Sequence, residues 1–386
     1  MLTLPIYMDH HATTPTDPRV LEAMLPFFTQ TFGNPASRHH SFGWAARDAV
    51  ETARRQVARL VGCDPRELFF TSGATESNNL VIKGCLAKAP RPVHVVTVET
   101  EHRAVLDPCR RLESEGVRVT YVRPGPDGVV DPQDVEEALT DDTVLLTVMT
   151  ANNEIGVLQP MAALSALARS LGVLFHTDAT QAVGKIPFDA SELDVDLVSM
   201  SAHKMYGPKG VGALCVRRRR PRIAIQALVE GGGHERGLRS GTLNVPAIVG
   251  FGAAADICRL EMDDEMQRVG ALRDRLWRGL SDRVTGLAIN GSVTHRLPHN
   301  LNVCVAGLEG ETLLVGLDDV AVSSGAACTS AHPEPSHVLL ALGLSDEQAR
   351  ASIRFGLGRW NTEAEVDYVV EKVSRLVVRL REMSPA

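Results

Sequence analysis

Aromatic side chains make up only 4% of the 386 residues, too few for a surface built on base stacking. No run approaches the 18 consecutive apolar residues that would mark a membrane-crossing helix. Residues 1–15 carry Asp9, His10 and His11 where a signal peptide needs an apolar stretch, so a cytoplasmic location is expected. The formal net charge of −7 argues against a general polyanion binder, and no direct nucleic-acid contact is expected. Seven cysteines, Cys63, Cys85, Cys109, Cys215, Cys258, Cys304 and Cys328, are scattered without a CxxC pair. A disulfide scaffold and a cysteine-rich zinc site are therefore not expected, while a reactive thiol stays open. Lysine is rare too: of 40 basic residues only Lys83, Lys88, Lys185, Lys204, Lys209 and Lys372 are lysines. Any lysine chemistry is correspondingly easy to locate.

What is present is the texture of a globular α/β chain, 44% apolar and 23% charged. Apolar runs at 67–71, 93–98, 117–122, 143–150, 173–177, 197–201 and 212–216 alternate with helical patterns at 77–87, 104–115, 132–139 and 161–171. Strands interleaved with helices in this way predict a mostly parallel, doubly wound, seven-stranded sheet covered on both faces. Ligands of such sheets gather beyond the carboxyl ends of the strands. After about residue 260 a charged helical pattern at 261–280 leads into short strands near 300–305 and 320–323 and further helices at 334–342, 346–351 and 362–383. The expected division is a large domain, 16–260, and a smaller α+β domain made of 1–15 with 261–386. The arginines at 217–220, with Arg222, read as a solvated turn or as a docking patch for an acidic partner.

Several strand ends carry chemistry. FTSGATESNNL (70–80) places Gly73 and the hydroxyls of Thr75 and Ser77 at a helix start, where free N–H groups and the helix dipole favour an anion. The spacing is neither GxGxxG nor a P-loop. VLFHTDATQ (173–181) puts Asp178 just beyond an apolar strand, where an acid needs a partner. A pyridinium nitrogen is one such partner, and Gln181 could reach the ring's phenolic oxygen. VDLVSMSAHKMYGPKGVG (195–212) delivers Ser201, His203 and Lys204 into a Gly- and Pro-rich loop. A Schiff-base lysine must be held partly desolvated at one spot, and the other lysines compete poorly: Lys83, Lys88 and Lys372 lie on amphipathic helices, Lys185 precedes a proline, and Lys209 sits in an exposed turn. His102 and Asn153 also fall at strand ends, as structural residues or as cofactor and substrate contacts. VSSGAACTSAHPEP (322–335) is a loop without core-forming side chains and holds Cys328, a candidate thiolate nucleophile. Arg354 offers a fork to a carboxylate, or is a surface arginine.

Taken together and in order, these blocks resemble the cysteine desulfurases of the NifS/IscS type, fold-type I pyridoxal-phosphate (PLP) enzymes of aminotransferase class V. The resemblance runs from HHATTP (10–15) through FGNPASRHHSFGW, TEHRAVLD, NNEIGV, SAHKMYGPKG and GGGHERGLRSGT to SIRFGLGR (352–359). It implies that Lys204 binds PLP as a Schiff base and moves protons, that His102 stacks on the ring, and that Asp178 and Gln181 hold the pyridinium and phenolic oxygen. Ala74, Thr75, Ser201 and His203 would bind the phosphate, and Thr242 the phosphate of a neighbouring subunit, so a homodimer is implied. Asn153 and Arg354 would hold L-cysteine, and Cys328 would take its sulfur and pass it to a sulfur-acceptor or iron–sulfur scaffold protein. No resident metal is implied, with Cys328, as a persulfide, only a transient ligand to an iron–sulfur cluster. The nearest rivals are a selenocysteine lyase or another aminotransferase-family enzyme. Ala202 and Asn244 stand where the family usually has Gly and Pro, and Ala202 is expected to strain a backbone that needs positive φ.

Overall fold

A computed structural model describes residues 2–89, 92–308, 310–324 and 334–383. Cys328 lies outside the described residues, as does most of the expected cysteine loop.

The central element is a seven-stranded sheet in the order Leu68–Thr71, Gly212–Val216, Leu197–Ser201, Leu174–Asp178, Thr143–Thr147, His94–Val98, Arg118–Val122. The five strands from Leu197–Ser201 outward pair in parallel, and Gly212–Val216 runs antiparallel to both its neighbours. Central strands such as His94–Val98 and Leu197–Ser201 are buried at every position. That is why they read as continuous apolar runs instead of alternating ones. All seven anticipated strands form, and the helices Ala74–Leu86, Arg103–Glu113, Pro132–Ala138 and Met161–Leu171 fall where the periodicity placed them.

Two helices add to those expected from the sequence. Ser41–Leu60 buries Ala46, Val50, Ala53 and Val57, a stripe spaced by three and four residues. It packs against Val245–Ser281, which begins well before the charged stretch at 261 and runs unbroken for 37 residues. A Cβ on Gly252 would lie 2.6 Å from the Cα of Ala53, so the two helices cross with backbone nearly touching backbone. The first half of the long helix, with Phe251, Ala254 and Cys258, joins the core on the large sheet. Its second half, with Val269, Leu272, Leu276 and Leu280, joins a different core built from Ile6, Met8, Ile353, Phe355 and Val370. A second, antiparallel sheet orders Ser323–Ser324, Ser352–Gly356, Asn300–Val305 and Leu287–Ile289. Ile6–Tyr7 pairs in parallel with Val320–Ala321 as a separate two-stranded sheet, and Ile6 and Met8 pack into the second core. Among the described residues no helix is long and apolar enough to cross a membrane.

Candidate active site

The large sheet ends in a cleft of about 660 Å³, within the range of small-molecule sites. Its lining includes Ala74, Thr75, His102, Asn153, Asp178, Gln181, Ser201, His203, Lys204 and Arg354. Segments far apart in sequence therefore bring ten of the anticipated residues to one place. Thr242 is exposed and is not among the lining residues.

Lys204 ends the turn Ala202–Lys204 that follows the strand Leu197–Ser201. Its Nζ donates to the carbonyls of His11 and of Ala12, the latter at 2.8 Å. Burial, aided by the positive Arg354, brings its pKa down to about 8, so a sizeable fraction is free amine near neutrality. Lys185 is more buried still, but pairs with Glu265 at 3.4 Å and lies over the Tyr206 ring, away from the cleft lining. Burial alone would favour Lys185 over half-buried Lys204; position in the cleft singles out Lys204. Lys209 lines the cleft as well, from an exposed position. The expected strain at Ala202 is absent: the non-glycine residues with positive φ among those described are Asp194, Tyr206, Glu235 and Arg236. Ala202 sits in a short 3-10 turn, whose negative φ any residue adopts.

Asp178 closes its strand. One carboxylate oxygen accepts from Asn78 Nδ2 at 2.7 Å and the other from the Thr180 N–H at 3.0 Å. His102 caps the helix Arg103–Glu113, its Nδ1 accepting from the Ala104 N–H at 3.0 Å. With Nδ1 so occupied, the neutral ring carries its proton on Nε2; burial lowers its pKa and keeps it neutral. Behind it, fully buried Glu101 has one oxygen without a partner among the described residues, and burial raises its pKa well above the usual carboxylate value.

The helix Ala74–Leu86 begins at Gly73 without any side-chain cap, so its first N–H groups face the cleft available to an anion. Gly73 sits at φ +155, and Gly212 beside it carries no side chain because a Cβ there would lie 2.6 Å from the Gly73 Cα. Glu76, an acid in the first turn, is neutralised by Arg239 at 2.9 Å and by the Ser72 N–H at 2.8 Å. His203 Nδ1 pairs with Thr13 Oγ1 at 3.0 Å; burial and the nearby Lys204 and Lys209 charges press its pKa down to about 4.

Arg354 lies in the strand Ser352–Gly356 and is buried, not a surface arginine. It donates to Asn153 O (2.8 Å), Asp9 Oδ1 (2.7 Å) and Ser323 Oγ (2.9 Å), with Nε unpartnered among the described residues.

Sequence reasoning gave no role to His11. Its Nδ1 hydrogen-bonds Gln181 Oε1 at 3.0 Å, and its Nε2 accepts from Asn300 Nδ2 at 3.0 Å. It stacks on His299 with centroids 4.4 Å apart, and burial holds its pKa well below the usual value. The HHATTP block was the available signal. Asn78, within FTSGATESNNL, was likewise passed over.

The 231–242 segment is tied to the sheet from behind. Glu235 is bound through both oxygens by Arg54 (2.7 and 2.8 Å) and accepts from the Phe70 N–H at 2.7 Å, all buried. Glu235→Gln leaves the Arg54 charge short of its partner, and should lower stability by about 3–5 kcal/mol in denaturant unfolding; a loss under about 1 kcal/mol would show that water replaces the pair. The arginines at 217–220 are partly drawn inward: Arg219 pairs with Asp194 at 2.6 Å and Asp196 at 2.7 Å, and Arg217 lies 3.4 Å from Glu67.

A half-buried lysine, a strand-end aspartate and an uncapped helix start thus meet in one cleft of a seven-stranded α/β sheet. The family model Aminotransferase class-V matches residues 6–369. The chain is 57% identical over 385 residues to "Cysteine desulfurase IscS" of Anaeromyxobacter dehalogenans, covering all of this chain and 95% of that protein. It is 55% identical over 387 residues to the protein of the same name from Escherichia coli, with the same coverage. A solved structure titled "NIFS-LIKE PROTEIN" superposes with a TM-score of 0.90 at 38% identity, covering 97% of this chain and 99% of that one. The chain belongs to the class-V aminotransferase family, within its cysteine desulfurase branch.

Proposed function

We propose that this chain is a PLP-dependent cysteine desulfurase that converts L-cysteine to L-alanine and places the released sulfur on Cys328. The observation that carries the reading is the placement of Lys204: a half-buried amine with a pKa of about 8 in the same cleft as Asp178 and a bare helix start. The polar atoms left over at this site fit the coenzyme. Asn78 Oδ1, Thr180 Oγ1 and Arg354 Nε are buried without partners among the described residues, and such groups are costly unless something binds them. Asp178 would hold the ring nitrogen, Gln181 the phenolic oxygen, and the Ala74–Thr75 N–H groups with Ser201 and His203 the phosphate. Thr242 would reach the phosphate of a second copy in a homodimer.

Bound there, PLP supplies an electron sink that makes the substrate's Cα proton and then its Cβ–S bond labile. The chain's own groups do the rest. Arg354, loosened from Asp9, receives the substrate carboxylate beside Asn153. Lys204, as the free amine, takes the proton from Cα, and as the ammonium returns a proton to substrate carbon. His102, protonated on Nε2 and capped on Nδ1, stacks in a fixed orientation. The Cys328 thiolate bonds to the substrate sulfur as the Cβ–S bond breaks, so one cysteine and one thiol yield alanine and one persulfide. We assign the division into domains 16–260 and 1–15 with 261–386, and a cytoplasmic location, on the same reading. An iron–sulfur scaffold or another sulfur acceptor would receive the persulfide.

Reconstitution tests the lysine directly. Only free amine attacks an aldehyde, so coenzyme capture by the stripped protein should accelerate with pH and level off above a midpoint near 8. Arg354→Gln removes a positive neighbour and should move that midpoint upward. A midpoint at the ordinary lysine value of 10.5 would contradict the assignment.

A further inference from the structure

A second group of reactive side chains lies at the opposite end of the strand pair that carries Gly73 and Gly212. The Sγ atoms of Cys63 and Cys215 and a carboxylate oxygen of Glu67 all lie within 4.8 Å of one another. Each belongs to a separate, fixed element. Cys63 follows the helix Ser41–Leu60, its N–H bonded to Ala58 O at 3.0 Å. Glu67 ends the turn Pro65–Glu67 and is held on both sides, by the Asp64 N–H at 3.0 Å and the Arg218 N–H at 2.6 Å. Cys215 is fully buried in the strand Gly212–Val216, directly opposite Leu68.

We propose that Cys63, Glu67 and Cys215 form a binding site for a thiophilic divalent cation of the zinc type. Two thiolates and a carboxylate are a zinc donor set, and bonds of about 2.0–2.3 Å place tetrahedral ligand atoms about 3.5–3.8 Å apart. Closing from within 4.8 Å needs only a small contraction. Charge selects the valence. Two thiolates and Glu67 carry three negative charges and Arg217, 3.4 Å from Glu67, carries one positive, so a divalent ion makes the buried site neutral. Arg217 faces Glu67 through its Nε and leaves one terminal nitrogen buried without a hydrogen-bond partner among the described residues. Charging the two sulfurs would give that guanidinium more negative charge to face. Binding is written M²⁺ + 2 Cys–SH → M(S–Cys)₂ + 2 H⁺, with no change of oxidation state. Half-buried Cys63 leaves the fourth position to water. The site would staple the end of the Ser41–Leu60 helix to the strands that support the anion-binding helix start. No local spacing announces it, because 152 residues separate the two cysteines and the donors meet only after the sheet forms.

The test is a cobalt(II) titration of the holoenzyme carrying Cys328→Ser, so that this thiol does not compete, against the same protein with Cys63→Ser added. Cys63 is the more exposed ligand, so its replacement leaves the core intact. One equivalent of cobalt per chain, with a thiolate charge-transfer band and intense tetrahedral d–d absorption, is expected for the first protein. At least about tenfold weaker binding without that band is expected for the second. Zinc should raise the Tm of the first and not of the second. Equal binding and equal Tm shifts in both proteins would overturn the proposal. So would finding Cys63 and Cys215 joined as a disulfide in the holoenzyme as isolated, since no thiolate pair would then remain.

Discussion

Lys204→Ala is expected to abolish the visible absorption of the bound coenzyme and to reduce alanine production by at least about 10²–10⁴-fold, the scale of a lost acid–base group. The amine is irreplaceable in this cleft. Lys209, the other lysine in the lining, is exposed and so is not held at one spot in the cleft. Lys185 is committed to Glu265 and the face of Tyr206. Loss of Lys204 frees the carbonyls of His11 and Ala12, a modest cost beside that of a core change. The variant should therefore fold, and its far-UV spectrum should match the parent. An unchanged visible band would place the coenzyme on another amine.

Cys328→Ser should separate two events that the parent couples. Its visible band should be retained, because every group proposed to hold the coenzyme is elsewhere, while sulfur release from L-cysteine falls by at least about 10³-fold, as on losing a nucleophile. The other thiols are poor substitutes. Cys85 and Cys109 are buried, with pKa values pushed up to about 12, and Cys258 to about 11. Burial likewise raises Cys304, and Cys215 is raised by its hydrogen bond with Cys63 as well as by burial. Thiols so shifted are almost wholly protonated at neutral pH. None of the six described cysteines lines the cleft. Full turnover in the variant would remove Cys328 from the chemistry.

The parts legible in the sequence share one property: their signal is local. An apolar strand followed at once by a polar residue marks a strand end, and Asp178, Lys204 and His102 all carried that mark. Arg354 was harder. SIRFG alternates Ile353 and Phe355 with Ser352 and Arg354, a two-residue period that identifies the strand Ser352–Gly356, but the run is short and ends in a glycine. The first half of Val245–Ser281 escaped for the opposite reason. It is buried on two sides, against the Ser41–Leu60 helix and the large sheet, so its apolar residues and glycines show no single face. His11 could not be assigned locally at all, because its partners Gln181 and Asn300 stand 170 and 289 residues away. Asn78 and Glu101 belong to the same class: their meaning lies in Asp178 and in burial beside His102, which only the fold supplies.

The most direct test of the account is a single turnover: holoenzyme mixed with one equivalent of sulfur-labelled L-cysteine, quenched, and mapped by peptide mass spectrometry alongside an alanine assay. The expected result is one alanine formed per label retained, with the label on the peptide containing Cys328 and absent when Lys204 is replaced by alanine. Alanine released with the label wholly in solution as free sulfide, or label fixed on another cysteine, would contradict it.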